Sequence, residues 1–307
     1  MITHYFKTLK DSELKVLTEP RIGVWTHVVE PSEMELAMLV SEYNLDAAIL
    51  EDSQDFFEVP RMEQSGNISY FFTRYPYDER DEDSDTAPVL FVMGETAVIT
   101  IAPREVPQFR GFLTGEINCN TTQKTKLLIQ LIGSIMKSYE AELMLLRKAV
   151  HRDRTKLRRI GPLGIQRLVN HEHALNNMIA ALMPTNMWLS QVTKGNYIQL
   201  YAEDMALMED LLIGSGQLID SARSVLKTIQ NVRSASEAIM TSTLNTTIKT
   251  LTIVTILLTI PNVIFSLFGM NVSLPLQDWP YTLGLVLVLV VILIGLALYL
   301  FKRNDWL

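Results

Sequence analysis

The most constraining feature of this sequence is a stretch near its C-terminus that is almost free of charge. Residues 250–301 contain one formal charge, Asp278, and include the apolar run LGLVLVLVVILIGLALYLF. That run covers residues 283–301 and another covers residues 250–268, and each is close to the roughly 20 residues that a helix needs to cross a membrane. We therefore expect two transmembrane helices joined by a short external loop over residues 269–282.

Basic residues indicate the orientation of this hairpin. Lys249 precedes the first span, Lys302 and Arg303 follow the second, and residues 272–280 between them contain no Lys or Arg. The positive-inside rule then predicts that both termini are cytoplasmic and that the protein is a multi-pass protein of the cell membrane. The N-terminal segment MITHYFKTLKDSELK carries charges where a signal peptide needs an apolar core, which also favours a cytosolic N-terminal part.

Charge is distributed unevenly before the spans. Residues 1–120 contain 9 Lys and Arg against 22 Asp and Glu, whereas residues 121–196 contain 12 against 4. The acidic block argues against a nucleic-acid partner, because binding to phosphates requires clustered basic side chains. The basic run RKAVHRDRTKLRR continues a helical pattern and is interpreted as a solvated helix face.

Residues 1–120 have the pattern of a cytosolic α/β domain. RIGVWTHVV is rich in β-branched and aromatic residues, and Ser32 with Glu35 then forms a capping box that opens a helix to about Tyr43. Further strands are predicted in ISYFFTRYP, PVLFVMGE and TAVITIAP, the last two as a hairpin turning at Gly94 and Glu95. The acidic segment DERDEDSD, residues 78–85, is predicted to be a solvated loop.

From about Thr122 onward the apolar period changes to that of helices. Residues 121–196 are predicted to be a cytosolic helical region, broken near Gly161 and Pro162, with a second helix that Pro184 ends. Residues 197–268 then predict one stalk helix, continuous with the first span and about 108 Å long at 1.5 Å per residue. The helix that is predicted to begin near Thr122 has one apolar face, formed by Leu127, Leu128, Leu131, Ile135, Leu143, Leu146 and Val150.

A polar stripe runs along the first span. Residues spaced three or four apart share one face, and all but Ile248 are polar: Asn245, Ile248, Thr252, Thr255, Thr259, Asn262 and Ser266. Hydroxyls in membranes often bond to their own helix or join helices together, but an amide such as Asn262 is costly in lipid unless it faces water or a polar partner. The stripe therefore favours a water-filled pathway. Because one stripe cannot enclose a pore, several copies must surround an axis, and its oxygens suit a hydrated cation or a neutral solute.

The first span is followed by Gly269-Met270-Asn271, which resembles the Gly-Met-Asn signature of the CorA family of magnesium transporters. The context strengthens the resemblance: two C-terminal spans, a short loop and the tail FKRNDWL. Residues 50–63, LEDSQDFFEVPRME, are similar to the family's acidic segment before its central strands. The resemblance implies an α/β cytosolic domain, a long stalk helix and two membrane helices in a homopentamer around a central pore.

The resemblance also implies roles for individual residues. Asn271 would form a ring at the outer mouth that holds hydrated Mg²⁺, with Gly269 carbonyls and Met270 beside it; the alternative is that Asn271 only caps the helix. Asn245, Thr259, Asn262 and Ser266 match family pore positions, and Ile248 and Leu251 are candidate apolar gates. Asp52 and Asp210 are candidate ligands for a regulatory Mg²⁺ that closes the pore. Magnesium would thus be substrate and regulatory ligand, with no other cofactor expected.

Three features depart from the family pattern. Phe268 stands where the family often has Tyr, the loop VSLPLQDWP carries only Asp278, and the tail has only two basic residues. Phe268 removes a hydroxyl at the outer mouth, and the single acid of the loop predicts weaker attraction of cations from outside.

Three alternatives to magnesium transport remain open from the sequence. The related ZntB group of zinc transporters shares the topology, and cobalt or nickel are further possible cargoes. A membrane-anchored metal enzyme would use His171, Glu172 and His173, but histidines two apart on a helix point in different directions, and no enzyme motif is present, so no enzyme is expected. The third alternative is a membrane hairpin that signals without transporting ions.

Overall fold

The computed structural model describes residues 1–77, 86–155, 162–195, 197–270, 279–304 and 306. The predicted acidic loop at 78–85, together with Asn271 and Asp278, lies outside these residues. The chain divides into two compact units, Met1–Arg233 and Ser234–Leu307.

The first unit contains a seven-stranded mixed sheet. Its order is β2-β1-β3-β7-β6-β5-β4; β3 and β7 are parallel, and the other neighbours are antiparallel. The strands are β1 Ile2–Phe6, β2 Lys15–Leu17, β3 Val24–Val29, β4 Met62–Ser65, β5 Ile68–Pro76, β6 Thr86–Met93 and β7 Ala97–Ala102. The helices are α1 Glu33–Tyr43, α2 Ala47–Asp52, α3 Arg110–Leu113 after a 3₁₀ turn at Pro107–Phe109, α4 Lys124–Thr155, α5 Pro162–Lys194, α6 Ala202–Phe268 and α7 Thr282–Arg303.

Local sequence signals explain several of these elements. The Ser32 hydroxyl accepts from the Glu35 N–H, and the Glu35 carboxylate accepts from the Ser32 N–H, which confirms the capping box at the start of α1. The predicted hairpin between β6 and β7 is also confirmed, and the Gly94 N–H donates to the Ala97 carbonyl at its turn (3.0 Å).

The sheet is buried on both faces, so the unit has three layers. Alternate side chains of the central strands separate into two apolar clusters. Phe71, Tyr75, Val89 and Phe91 pack with α4 and α5, whereas Tyr70, Phe72, Leu90 and Val92 pack with α1 and α2. This alternation follows from the two-residue period of a strand. The predicted apolar face of α4 is confirmed, because its seven residues are buried or pack against the first cluster.

The prediction that Pro184 ends the second helix is wrong, because α5 continues through Pro184 to Lys194. A proline inside a helix removes one backbone hydrogen bond, here that to the Ala180 carbonyl. Burial of the following turns compensates for this loss, since Trp188, Leu189 and Val192 are all core residues. The buried Thr185 hydroxyl also donates to the Ala181 carbonyl (2.8 Å).

The two compact units differ from the predicted domain list. The α/β domain and the helical region belong to one unit because α4 and α5 pack directly on the sheet. The predicted stalk helix begins at Ala202 and runs without a break to Phe268, past Gly214, Gly216 and Pro261. The division falls inside it, after Arg233, and residues 241–250 are all exposed.

The second unit consists of the C-terminal part of α6, all of α7 and the tail. Both helices are long and apolar enough to cross a membrane, as the sequence predicts. Among the described residues of this unit, the buried apolar side chains are those of Ile253 on α6 and of Val286 and Val290 on α7.

Candidate ion pathway and metal sites

The predicted pore residues all lie on α6 within the second unit. They fall within an arc of about 120° at 3.6 residues per turn. All are exposed in the single chain except Thr252, which is partly exposed. The two candidate apolar gates are open to their surroundings, with exposed fractions of 52% for Ile248 and 65% for Leu251. The stripe is thus a continuous uncovered surface.

The opposite side of α6 is its covered side. Ile253 is buried, and Leu257, Ile260 and Ile264 are partly buried. These residues centre about 150° away from the stripe around the helix axis. An apolar cleft of about 360 Å³ between α6 and α7 includes Ile260 and Ile264, and Thr259 of the stripe also lines it. Helix α7 therefore covers the apolar side of α6, while the residues of the polar stripe stay exposed or partly exposed.

The threonines of the stripe bond to their own helix. The hydroxyls of Thr252, Thr255 and Thr259 donate to the carbonyls of Ile248, Leu251 and Thr255, at 2.9, 2.8 and 2.7 Å. A hydroxyl has one hydrogen and two lone pairs, so each of these oxygens retains acceptor capacity after its donor is used. The stripe consequently presents hydrogen-bond acceptors, which suit the water shell of a cation.

The Gly-Met-Asn segment follows the last turn of α6. The Gly269 N–H donates to the carbonyls of Phe265 (3.0 Å) and Ser266 (3.2 Å), and the Met270 N–H donates to the Leu267 carbonyl (3.4 Å). Gly269 does not have the positive φ of a glycine cap. The role of Asn271 stays a prediction, since this residue lies beyond the described part of the helix.

The tail returns to the start of the first span. After α7 the Trp306 ring stacks on Phe301, with 5.9 Å between ring centroids, and the Lys249 ammonium lies 6.0 Å from the Trp306 ring. Sequence reasoning found the tail but missed this contact. The signal for it was an aromatic residue next to the basic ends of both spans, which is a common membrane-interface composition.

The two candidate regulatory acids occupy different surroundings. The Asp52 carboxylate is 2.7 Å from an Arg61 nitrogen, and Arg61 also pairs with Glu58 and Glu63 and lies over the Phe72 ring. Burial by itself would lower the pKa of Arg61, but the hydrogen bond with Glu63 and the three negative charges raise it. One guanidinium is thus shared by three carboxylates, so the cluster around Arg61 keeps a net negative charge.

Asp210 lies on α6 in a cleft of about 400 Å³ beside α4, with Lys137, Glu140 and Arg147. Asp52 does not line this cleft. Among the residues that the structure describes, no group of three or more His, Cys, Asp or Glu side chains could hold a metal ion. The regulatory role of Asp52 and Asp210 stays a prediction.

The three residues of the enzyme alternative, His171, Glu172 and His173, lie on α5, and two of them contact other side chains. The Glu172 carboxylate accepts from Arg233 (3.1 Å), and the His173 ring lies 3.2 Å from the Asn177 amide. Burial lowers the pKa of His171. Glu172 and His173 thus take part in contacts within the helical layer.

Comparison with known proteins identifies the family. The model of the CorA-like Mg²⁺ transporter protein family matches residues 22–303. The cobalt/magnesium transport protein CorA of Methanocaldococcus jannaschii is 24% identical over 302 residues, covering 92% of this chain and 91% of that protein.

Solved structures have the same fold. That of the CorA magnesium transporter from Methanocaldococcus jannaschii has a TM-score of 0.84 at 22% identity, covering 100% of this chain and 99% of that one. The cytoplasmic domain of ZntB from Vibrio parahaemolyticus has a TM-score of 0.65 at 9% identity, covering 78% of this chain and 98% of that one. With the family model matched from just before β3 to the end of α7, this chain belongs to the CorA family of transporters.

Proposed function

We propose that this protein carries Mg²⁺ across the cell membrane, with Co²⁺ or Ni²⁺ as further cargo. Family membership, the name of the cobalt/magnesium transport relative and the two candidate membrane helices support this function. The observation that carries most weight is the acceptor stripe on α6, on the side away from α7. In the proposed topology both termini are cytoplasmic and residues 269–282 face outward.

The proposed pore is formed by several copies of α6, five if the family's arrangement holds. Each copy would turn its stripe toward a common axis and its Ile253 side toward α7. Mg²⁺ gives up its water reluctantly, so a lining that accepts hydrogen bonds from coordinated water can pass the ion without the full cost of dehydration. The hydroxyl hydrogens of Thr252, Thr255 and Thr259 are used within the helix, so these three levels of the lining offer acceptors, and the asparagine amides of the stripe add both acceptors and donors.

Selection and closure are assigned to different levels of this pore. At the outer mouth, Asn271 amides and Gly269 carbonyls would hold the hydrated ion, with Met270 beside them. At the other end, Ile248 and Leu251 would close the pore by excluding water. A divalent ion gains about 4.6 kcal/mol per 100 mV of inward potential, so no other energy source is required.

Regulation is proposed to work by negative feedback. Cytosolic Mg²⁺ bound between neighbouring chains, through Asp210 of one and Asp52 of the other, would stabilise the closed state. Because Arg61 is shared by Asp52, Glu58 and Glu63, the surroundings of Asp52 keep negative charge that can attract the ion. Internal Mg²⁺ should then inhibit flux less in Asp210→Asn than in the original protein.

The function is tested by measuring ion uptake into liposomes that contain the purified protein under an imposed inward-negative potential. We expect Mg²⁺ uptake that Asn271→Ala strongly reduces. The double substitution Thr255→Val and Thr259→Val should reduce it by at least about tenfold, because it removes two rings of acceptors without changing side-chain shape. Thr250→Val is the matched control: Thr250 also bonds to its own helix but lies off the stripe.

The outcomes separate the alternatives. Zinc uptake that depends on a pH gradient, without magnesium uptake, would assign the protein to a zinc-transporting group. Absence of any flux in verified proteoliposomes would favour a hairpin without transport. Equal loss of flux in Thr250→Val and in the stripe variant would show that the stripe is not the pathway.

A further inference from the structure

One end of the α4–α5 pair carries charges that the proposed transport does not use. It consists of residues 144–155 at the end of α4 and residues 162–170 at the start of α5, here called the basic end. Like charges gathered on one surface repel each other, so a partner of opposite charge lowers the free energy of such a surface. The basic end has five basic residues and one acid, namely Arg147, Lys148, Arg152, Arg154 and Arg167 against Asp153.

The acid of the basic end and the next acid along α5 both have basic partners. The Asp153 carboxylate lies 3.5 Å from an Arg167 nitrogen, and the Glu172 carboxylate accepts from Arg233 of α6 (3.1 Å). Each of these pairs sums to zero charge. The two acids therefore leave the other basic residues of this surface without compensation.

The rest of the surface is positive. Lys148 and Arg154 are exposed, and Arg147 donates to a neutral serine hydroxyl of α6. When Glu140 and Glu142 of the preceding turns of α4 are counted as well, the residues named so far comprise six basic and four acidic side chains. The sequence between α4 and α5 adds three basic residues and no acid. A partner with several negative charges is therefore expected.

Exposed apolar side chains lie among these charges. Leu163 in the first turn of α5 is 74% exposed, and Leu145 and Met144 on α4 are 68% and 52% exposed. By helical periodicity Met144 and Leu145 share the outer side of α4 with Lys148, on the side away from the buried Val150. Basic residues combined with exposed leucines are typical of helices that lie at a lipid surface.

Contacts within the first unit give the direction of α4. The Leu211 side chain of α6 lies beside Gly133 of α4. Further along both helices, the Arg147 guanidinium of α4 donates to the Ser221 hydroxyl of α6. Helix α4 therefore runs alongside α6 in the same direction.

Helix α5 runs in the opposite direction. The Asn186 amide donates to the Leu212 carbonyl of α6 (2.9 Å), whereas the earlier Glu172 pairs with the later Arg233. The basic end is therefore the end of the α4–α5 pair that lies toward the C-terminal direction of α6. In that direction α6 continues without a break into its apolar segment.

We propose that the basic end binds the headgroups of anionic phospholipids at the cytosolic face of the membrane. The proposal rests on the membrane insertion of α6 and α7 that the proposed function includes. Anionic lipids attract Lys and Arg side chains close to the membrane, and exposed leucines such as Leu163 enter the boundary between headgroups and acyl chains. The basic end contains no Phe, Tyr or Trp, so it lacks the rings on which the bases of a single-stranded nucleic acid stack.

The proposal is tested with the full-length protein in lipid nanodiscs, labelled with a small fluorophore through Leu163→Cys. The natural cysteine, Cys119, is buried and does not compete for the label. A nitroxide on the lipid headgroup quenches fluorophores that approach the membrane surface. We expect quenching at least about threefold greater with about 30% phosphatidylglycerol than with phosphatidylcholine alone. Near 1 M salt, where the screening length is about 3 Å, this difference should disappear.

Two matched controls separate the basic end from the rest of the first unit. A label at Met187→Cys, 62% exposed toward the other end of α5, should respond equally to both lipids. Lys148→Gln with Arg154→Gln should reduce the extra quenching at Leu163→Cys by at least about half. Lys10→Gln with Lys194→Gln makes the same change of charge at exposed positions outside the basic end and should leave it intact. Thermal unfolding shows that each variant remains folded.

Each result decides the proposal. Equal quenching at Leu163→Cys in both lipids would overturn it, and this is the result expected if the acidic segment 78–85 of the same or a neighbouring chain is the partner instead. Unchanged quenching in the Lys148 and Arg154 variant would overturn it as well.

A label at Val291→Cys on α7 tests the insertion on which the proposal rests. Quenching of this label by nitroxides on the acyl chains, without a lipid response at Leu163→Cys, would overturn this proposal alone. Absence of quenching at Val291→Cys would overturn both the insertion and the lipid site.

Discussion

At the residue scale, a histidine lies where the sheet excludes water. His27 on β3 is 6% exposed, its ring nitrogen is 2.8 Å from the Thr100 hydroxyl, and its ring packs edge-on against Phe109. Burial lowers the pKa of His27 to about 4 from its ordinary value of 6.5. The folded protein therefore holds this ring neutral under conditions in which the unfolded chain takes up a proton.

The first prediction concerns acid stability. Between pH 6.5 and about 4 the unfolded state binds more protons at this site, so the free energy of unfolding should fall as pH falls through this range. The full loss is about 3 kcal/mol from a shift of this size. His27→Gln should remove most of this contribution in denaturant unfolding at pH 7 and pH 4.5. The exposed His151→Gln is the control, and an unchanged pH dependence in His27→Gln would contradict the assignment.

At the element scale, α5 differs from its prediction because burial outweighs a local signal. Proline in a helix interior costs about 3 kcal/mol or more, which is why Pro184 predicts a helix end. The next turns nonetheless remain helical, since they bury Trp188, Leu189 and Val192 against the sheet. The Thr185 hydroxyl, 2.9 Å from the Thr73 hydroxyl of β5, fixes the same turn to the sheet.

Pro184→Ala should therefore stabilise the protein. Alanine restores the hydrogen bond to the Ala180 carbonyl in a helix that already has its full packing, so we expect a gain of about 1–3 kcal/mol in the free energy of unfolding. The measurement is the denaturant midpoint beside that of Met187→Ala, an exposed position on the same helix. A lower midpoint for Pro184→Ala would mean that the proline fits a bend on which the packing depends.

At the scale of the whole molecule, a single chain leaves its polar stripe uncovered along a membrane span. Amide and hydroxyl groups facing lipid are unfavourable, so association that encloses them should be strongly preferred. We predict that the purified protein is a homo-oligomer of five copies in detergent, measured by native mass spectrometry. A protein that is monomeric in detergent and in lipid nanodiscs would contradict the enclosed pore.

The sequence alone determined the parts of this protein that depend on local pattern. Apolar length identified both spans, a 3.6-residue period identified α4 and the polar stripe, and Ser32 with Glu35 identified the start of α1. Each is recognisable because the residues responsible are neighbours along the chain or along one helix.

Only the tertiary structure decided features that join distant residues. The parallel pairing of β3 with β7, the continuation of α5 past Pro184, the pairing of Asp52 with Arg61 and the burial of Arg74 on β5 all belong to this group. The physical reason is that burial and pairing depend on which segments meet in space, and no short-range pattern encodes the partner. Packing can also reverse a local preference when it buries enough apolar surface.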